Sequence, residues 1–450
     1  MTILLKNAIV VNEGRQIRGY VAIDGEVISA VGAGEAPQSL EDSCQQVRDL
    51  QGMMLLPGVI DDQVHFRDPG LTHKADISTE SAAAVAGGVT SFMDMPNTKP
   101  QTTSVEALES KYKRAAEVSV ANYSFFMGAT NDNLDEVLAV DYRRTCGVKV
   151  FMGASTGNML VDNAETLRQL FSKVKTLIAI HSEDEAVIAA NKVRLVAERG
   201  DDLPVQFHPV IRDAEACYQC TKRAVALARE CGTRLNVLHL STARELEFFD
   251  NNLPLSEKKI TAEVCVHHLW FTDADYDRLG NRIKCNPAVK SLADREALRQ
   301  ALRDGKIDIV ATDHAPHLHA DKQGNCLTAA SGMPLVQYSL VAMLEMAREG
   351  VFTVEMVVEK MCHAPAELYR VERRGYIRPG YYADLAIVAP VDAPQPITDE
   401  QVLSRCGWTP FVGATMHHRV ASTYVNGHLA FDGSAVDSTT LCGKRLTFNN

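Results

Sequence analysis

Residues 294–313, DREALRQALRDGKIDIVATD, decide how this chain folds. The first half is a helix-length amphipathic run ended by Gly305; the second is a short apolar, β-branched strand that closes on Asp313. The same rhythm spreads outward through roughly residues 56–370. VTSFMDM (89–95), GVKVFMG (147–153), TLIAIHS (176–182), RLNVLHL (234–240) and KITAEVC (259–265) are strands of the same kind, followed by helix-length stretches. Strand then helix, repeated seven or eight times over about 300 residues, predicts an α/β fold built on a parallel (β/α)8 TIM barrel.

The two ends read differently. Residues 1–55 carry short alternating runs such as ILLKNAIVV and YVAIDGEVISAVG, and residues 371–450 carry ADLAIVAP and VASTYVNGHLAFDG with the hairpin dipeptide Asn426-Gly427. Chain termini often lie close together, so both ends are expected to form one β-sandwich domain beside a barrel of residues 56–370. A length of 450 residues also favours two bodies over one small core. Forty-six basic against 57 acidic residues give a net charge of −11. With no dense Lys/Arg run, that balance argues against a nucleic-acid partner. No stretch approaches about 18 uninterrupted apolar residues, so no membrane span is expected. The N-terminus lacks a cationic and apolar leader, and the chain is expected to be cytoplasmic. The 11 cysteines are scattered along the chain, mostly inside apolar strands and helices. They predict reduced, buried thiols, not a disulfide framework or a cysteine zinc site.

In a parallel barrel the chemistry sits where strands end and loops begin. Reading each strand to its last residues collects His65 and Arg67, Asn97, Lys149, His181, His239, and Asp313 with His314 and His317. Any one of them could be a core or surface residue satisfied by hydrogen bonds. Brought to one rim by separate strands, they are a costly coincidence of polar groups, and they are expected to meet at a site. Lys149 stands between two valines, where an ammonium is costly to bury unless it snorkels or is chemically changed. Carboxylation by CO2 would turn it into an anion able to bridge two cations. Histidine, carboxylate and carbamate suit zinc, and Asp313 could both ligate an ion and act as general base, then as acid toward a leaving nitrogen.

The strings PGVIDDQVHFRDPG, MDMPNTKP, GVKVFMG, IHSEDE, NVLHLST, TAEVCVHHLWFT, KCNPAVK, ATDHAPH and RPGYYADLAIV together resemble the cyclic amidohydrolases, and among them the dihydroorotases, over nearly the whole chain. The resemblance implies a distorted (β/α)8 barrel with a β-sandwich from both termini. It also implies a two-zinc site and a small-molecule reaction, the reversible closure of carbamoyl-aspartate to dihydroorotate in pyrimidine synthesis. His65 would be the second histidine of an HxH pair, Lys149 the carboxylated bridging lysine, His181 and His239 ligands of the second ion, and Asp313 a ligand and proton shuttle. Arg67, Asn97 and His317 would bind the substrate carboxylate; Asn286 and the backbone around Ser331 and Gly332 would touch the ring. An arginine fork suits a carboxylate, whereas the neutral rings of hydantoinases have no call for one.

One position departs from the resemblance. Gln63 stands where the HxH pair has its first histidine, and an amide oxygen is a poor zinc donor. The ion shared by His65, Lys149 and Asp313 is therefore expected to be absent, weak or differently coordinated, with Asp62 or a water completing its shell. The second site keeps its side chains and is expected to hold at least one zinc. The adjacent His267 and His268 are expected to serve packing and loop hydrogen bonding. Two other readings stay open: an allantoinase or hydantoinase acting on a different ring, or an inactive dihydroorotase-like scaffold bound to a transcarbamoylase. Proteins of this type pair as dimers or tetramers, so a homo-oligomer is expected.

Overall fold

The computed structural model describes residues 1–153 and 159–449. The chain opens with β1 (Thr2–Asn12), β2 (Arg15–Asp24), β3 (Val27–Ala33), β4 (Gln46–Asp49) and β5 (Met54–Pro57). Nine short strands follow: β6 (Val59–Val64), β7 (Val89–Asp94), β8 (Asn122–Phe125), β9 (Met127–Gly128), β10 (Val148–Phe151), β11 (Ile178–His181), β12 (Leu235–Val237), β13 (Ile260–Cys265) and β14 (Ile309–Ala311). The chain closes with β15 (Leu385–Pro390), β16 (His418–Val425) and β17 (His428–Phe431).

The middle strands are all parallel and form two arcs, β6-β7-β8 and β9 through β14 in sequence order. The arcs meet at both seams. β8 and β9 are one strand interrupted at Phe126, whose N–H donates to the Asp94 carbonyl while the next N–H, of Met127, donates to Gly147. At the other seam Val64 bridges His314, and the His65 N–H reaches the His314 carbonyl at 2.7 Å. Between strands the chain turns into helices that begin on side-chain caps. Asp76, Ser104, Asp184, Asp213 and Ser291 each accept a backbone N–H at a helix start, satisfying a donor the helix leaves unpaired. Every strand residue from β6 to β14 is buried except Ile260, because helices or the end sheet cover the barrel outside and side chains fill it within. Among the described residues no helix is long and apolar enough to cross a membrane.

The chain ends join in one mixed sheet, ordered β17-β16-β15-β5-β1-β2-β3 with β4 also on β1. Asn426 and Gly427 make the two-residue turn between β16 and β17, both with positive φ (50° and 75°), as this tight hairpin demands. One face of the sheet buries Ile3, Leu5, Val21, Ile23, Leu385 and Ile387 in a core of its own. The other presents Val11, Leu56, Ala386 and Val388 to the core it shares with the barrel helices.

A buried polar knot ties sheet to barrel. Asp384 accepts from Arg374, from the Asn426 N–H (2.8 Å) and from Asn122 of β8 (3.1 Å), while Arg374 also reaches Asn426 (2.9 Å). Removing one partner of a buried ion pair leaves an uncompensated charge. Asp384→Ala is expected to lower the unfolding free energy by about 3–5 kcal/mol in urea titrations, and a loss below about 1 kcal/mol would show that the knot is not what joins the two parts.

Candidate active site

The strand ends surround a cavity of about 280 Å³. His65, Lys149, His181, His239 and Asp313 line it, and so do Arg67, Asn97, Asn286, His317, Ser331 and Gly332. Segments more than two hundred residues apart in sequence thus face one space. Three of these residues, Arg67, His239 and Asp313, hold positive φ values of 68°, 42° and 50°. Left-handed backbone is uncommon outside glycine and persists where the surroundings over-determine it, often at sites of chemistry.

His181 ends β11, and His239 follows two residues after β12. The His181 Nε2–H donates to Glu183 at 2.9 Å, which leaves Nδ1 as a lone pair, and that Nδ1 faces His239 Nε2 at 3.0 Å. Burial holds both imidazoles below their ordinary pKa and therefore neutral. The His239 Nδ1 is buried without a hydrogen-bond partner. Glu183 in turn accepts from Arg212. Burial works to raise the Glu183 pKa, but Arg212 and His181 overcome it and hold the carboxyl at about 2. An ionised carboxylate behind a ligand-type histidine fixes its tautomer and orientation.

Lys149 lies in β10 and is only 1 % exposed. Its ammonium stands 4.8 Å from the Phe151 ring centroid and forms no ion pair with a described carboxylate. Burial pulls its pKa down to about 7, against the opposing pull of Asp313, Glu263 and Asp62. A neutral amine is the form that CO2 carboxylates. Below the cavity, Asp62 accepts from the Tyr369 hydroxyl at 2.7 Å and Glu263 from the His239 backbone N–H at 3.1 Å. Each keeps one buried oxygen without a donor, Asp62 Oδ1 and Glu263 Oε2. Burial raises both carboxyls, and repulsion from Asp62 adds to it at Glu263, which stands well above its ordinary value.

Gln63 is committed on both sides. Its amide N–H donates to Asp313 Oδ1 at 3.2 Å, and its oxygen faces the Cys265 thiol at 3.7 Å. The same Asp313 oxygen is 3.0 Å from His65 Nε2, while His65 Nδ1 meets the Asn97 oxygen at 2.8 Å. An amide oxygen only accepts, so Nδ1 carries the proton. Asp313 then faces either an imidazolium or, with His65 neutral, a lone pair that a cation could share. Burial tends to raise the Asp313 pKa, yet the contact with His65 and the nearby His267 and Lys149 keep it below its ordinary value. Imidazole nitrogens, a carboxylate and an amine converging in this way form a donor set that fits a zinc-class cation. Asp62, the expected substitute ligand, does not line the cavity.

At the other end of the cavity, donors outnumber acceptors. The Arg67 Nε donates to the Pro316 carbonyl at 3.1 Å, and its Nη2 lies 3.2 Å from His317 Nε2, while Lys74 Nζ lies 3.1 Å from His317 Nδ1. A neutral imidazole accepts at one nitrogen only, so one of these contacts sets donor against donor; Asp321 meets Lys74 at 3.2 Å, which leaves Arg67 as the cation here without a carboxylate partner among the described residues. Arg67 pairs with neither Asp68 nor Asp61, whose partners are Arg114 and Thr312. The loop carrying Ser331 and Gly332 is held by Lys322, whose ammonium donates to the carbonyls of Lys284, Ala330 and Gly332 at 3.0, 2.8 and 2.8 Å.

His314, next to Asp313 in sequence, turns away: Nδ1 accepts the Leu335 and Val336 N–H groups, and Nε2–H donates to Glu80 at 2.8 Å. His363 does not line the cavity and bonds to the Gly375 carbonyl and the Glu13 N–H. Glu183, Arg212 and Lys74 are contributors that sequence reading did not select. Glu183 had a usable signal, since strand alternation puts His181 and a residue two further on the same side. Lys74 had none.

The amidohydrolase family model matches residues 54–430. The chain is 34 % identical over 422 residues to a dihydroorotase of Halobacterium salinarum, covering 93 % of this chain and 94 % of that protein. It is 28 % identical over 448 residues to an allantoinase of Bacillus velezensis, covering 97 % and 95 %. Among solved structures it is similar to the L-hydantoinase (dihydropyrimidinase) of Arthrobacter aurescens, with a TM-score of 0.89 at 25 % identity and 99 % of each chain covered.

Proposed function

This chain belongs to the amidohydrolase family, and from that premise we propose that it is a dihydroorotase, which hydrolyses the ring amide of dihydroorotate to carbamoyl-aspartate and closes it again in pyrimidine synthesis. The observation that supports this reading is the two-ended cavity. One end gathers His65, Lys149, His181, His239 and Asp313, and the other sets Arg67 and Lys74 against one imidazole, His317. An acidic ring amide needs both, a centre for carbonyl chemistry and an anchor for its carboxylate.

When bound, a zinc-class cation held by Lys149, His181 and His239, with His65 and Asp313 beside them, supplies Lewis acidity toward the carbonyl and acidifies water. The chain does the rest. Arg67, Asn97 and His317 hold the carboxylate, Asn286 and the Ser331–Gly332 backbone hold the ring, and the Glu183 carboxylate keeps His181 in one tautomer. Asp313 accepts the proton of the attacking water and delivers it to the ring nitrogen as the C–N bond breaks; in ring closure the same proton moves backward. Gln63 takes up Asp313 Oδ1 with a neutral N–H, so we assign the stronger ion site to Lys149, His181 and His239 and the weaker to the His65 side.

Turnover of dihydroorotate, allantoin and hydantoin by the purified protein at matched concentrations tests the assignment. Hydrolysis of allantoin or hydantoin with none of dihydroorotate overturns it in favour of the allantoinase reading that the Bacillus velezensis relative suggests. Arg67→Gln is expected to raise KM for dihydroorotate about 10- to 100-fold, the worth of one charge-assisted hydrogen bond, about 1.5–3 kcal/mol. Hydantoin, lacking the carboxylate, should lose far less. Equal losses on both rings would remove Arg67 from carboxylate recognition.

A further inference from the structure

Behind the wall that carries Asn286 lies a second cluster of ligand atoms. His267 and His268 sit on the short helix Val266–Trp270 that follows β13, and Cys285 directly precedes Asn286. One ring nitrogen from each histidine and the Cys285 sulfur lie within 4.8 Å of one another. All three residues are buried, at 1 %, 3 % and 1 % exposure. None lines the catalytic cavity.

Packing and loop hydrogen bonding, the role expected from sequence, leaves these rings undersupplied. The Pro287 carbonyl takes both the His268 Nε2–H (3.2 Å) and the Cys285 S–H (3.1 Å). The other His268 nitrogen is buried without a hydrogen-bond partner among the described residues, and His267 has only the Thr312 backbone near one of its two buried nitrogens. Each buried polar atom left unsatisfied costs about 1–3 kcal/mol, and native proteins rarely leave several together unless an ion or water occupies the space.

We infer that His267, His268 and Cys285 form a metal site of their own, which takes a zinc-class divalent cation and staples the Asn286 loop to the helix after β13. Two imidazoles and a thiolate are zinc donors, and three protein ligands leave one position of a tetrahedral shell for a carbonyl or water. On binding, the Cys285 S–H bond gives up its proton to solvent and the sulfur bonds the ion as thiolate. The carboxylate of Asp313 lies within Coulomb reach of both His267 and Cys285 and lowers the cost of the added charge. The staple holds Asn286 from behind, independently of any ion in the cavity.

Cobalt substitution separates the two sites, because the donors proposed for the cavity include no sulfur. The full-length protein, stripped with a chelator and reloaded with Co2+, is expected to show thiolate-to-cobalt charge-transfer absorption in the near ultraviolet. The band should persist in the double variant His181→Asn/His239→Asn and vanish in Cys285→Ser, with one ion fewer per chain. Should Cys285→Ser fail to fold, zinc-edge X-ray absorption of the zinc-loaded wild-type protein decides alone: a sulfur scatterer at about 2.3 Å supports the site, and a shell of nitrogen and oxygen only overturns it. A cobalt spectrum without the band in wild type, or a band unchanged in folded Cys285→Ser, also overturns it.

Discussion

Asp313→Asn is expected to lower kcat for dihydroorotate hydrolysis by about 10²- to 10⁴-fold, the usual contribution of a positioned general base, while KM moves little. The substitution keeps the shape of the side chain and deletes its basicity. Asp313 is the one group in the cavity that is ionised and contacts both Gln63 and His65, at 3.2 and 3.0 Å. Among the described residues it caps no helix and pairs with no arginine or lysine. Because His65, His267 and Lys149 outweigh the effect of burial, its pKa lies below the ordinary carboxylate value of 3.8. Its base form is therefore present across the whole neutral range, and any acid limb of the rate near pH 6 must come from another group. Steady-state rates in both directions, with zinc content measured on the same samples, test this. A kcat within about threefold of wild type would take the proton-transfer role away from Asp313; loss of zinc in proportion to rate would recast it as a ligand alone.

Lys149→Met should have opposite effects on activity and on stability. Activity is expected to fall by at least about 10³-fold together with bound zinc, since Lys149 is one of the groups proposed to hold the ion. The metal-free protein, handled without CO2, should become more stable by about 1–4 kcal/mol, the range found when buried charges are replaced by apolar groups of similar volume. The sign follows from the lysine's pKa, which burial lowers from 10.5 in the unfolded chain to about 7 in the fold. Above pH 10.5 the amine is neutral in both states and costs nothing as a charge. As pH falls from there toward 7 the unfolded chain gains a proton that the folded protein resists, so the wild type loses stability across that window and the loss is complete below it. The advantage of methionine should therefore be full below about pH 7 and fade toward pH 10.5. Urea unfolding of both proteins along a pH series gives the comparison. A destabilised Lys149→Met, or one that retains turnover, would mean that the lysine is structural.

The two substitutions draw on different kinds of legibility. Asp313 was readable because an apolar strand ended on it, and Lys149 because a cation stood between valines in a strand with no acid nearby in sequence. His314 had an equally good position and proved structural. Its ring is claimed by Glu80 and by two backbone N–H groups of residues 335 and 336, partners that no local pattern announces. Glu183 was passed over although alternation places it on the side of His181, and Arg212 could not have been found, since 29 residues and a helix separate it from the carboxylate it neutralises.

What the sequence determined by itself was periodicity and punctuation: which segments are strands, which are helices, that the Asn426-Gly427 turn closes a hairpin, and which polar residues sit at strand ends. These are properties of neighbouring residues, and side-chain sterics and backbone hydrogen bonding settle them locally. Tertiary structure alone decided which strand-end groups share a cavity, that Gln63 spends its amide on Asp313 and Cys265, and that His267, His268 and Cys285 converge behind it. Those outcomes depend on how the barrel closes and on which buried donor finds which acceptor, and closure joins residues 65 and 314, whose separation along the chain carries no signal of their contact.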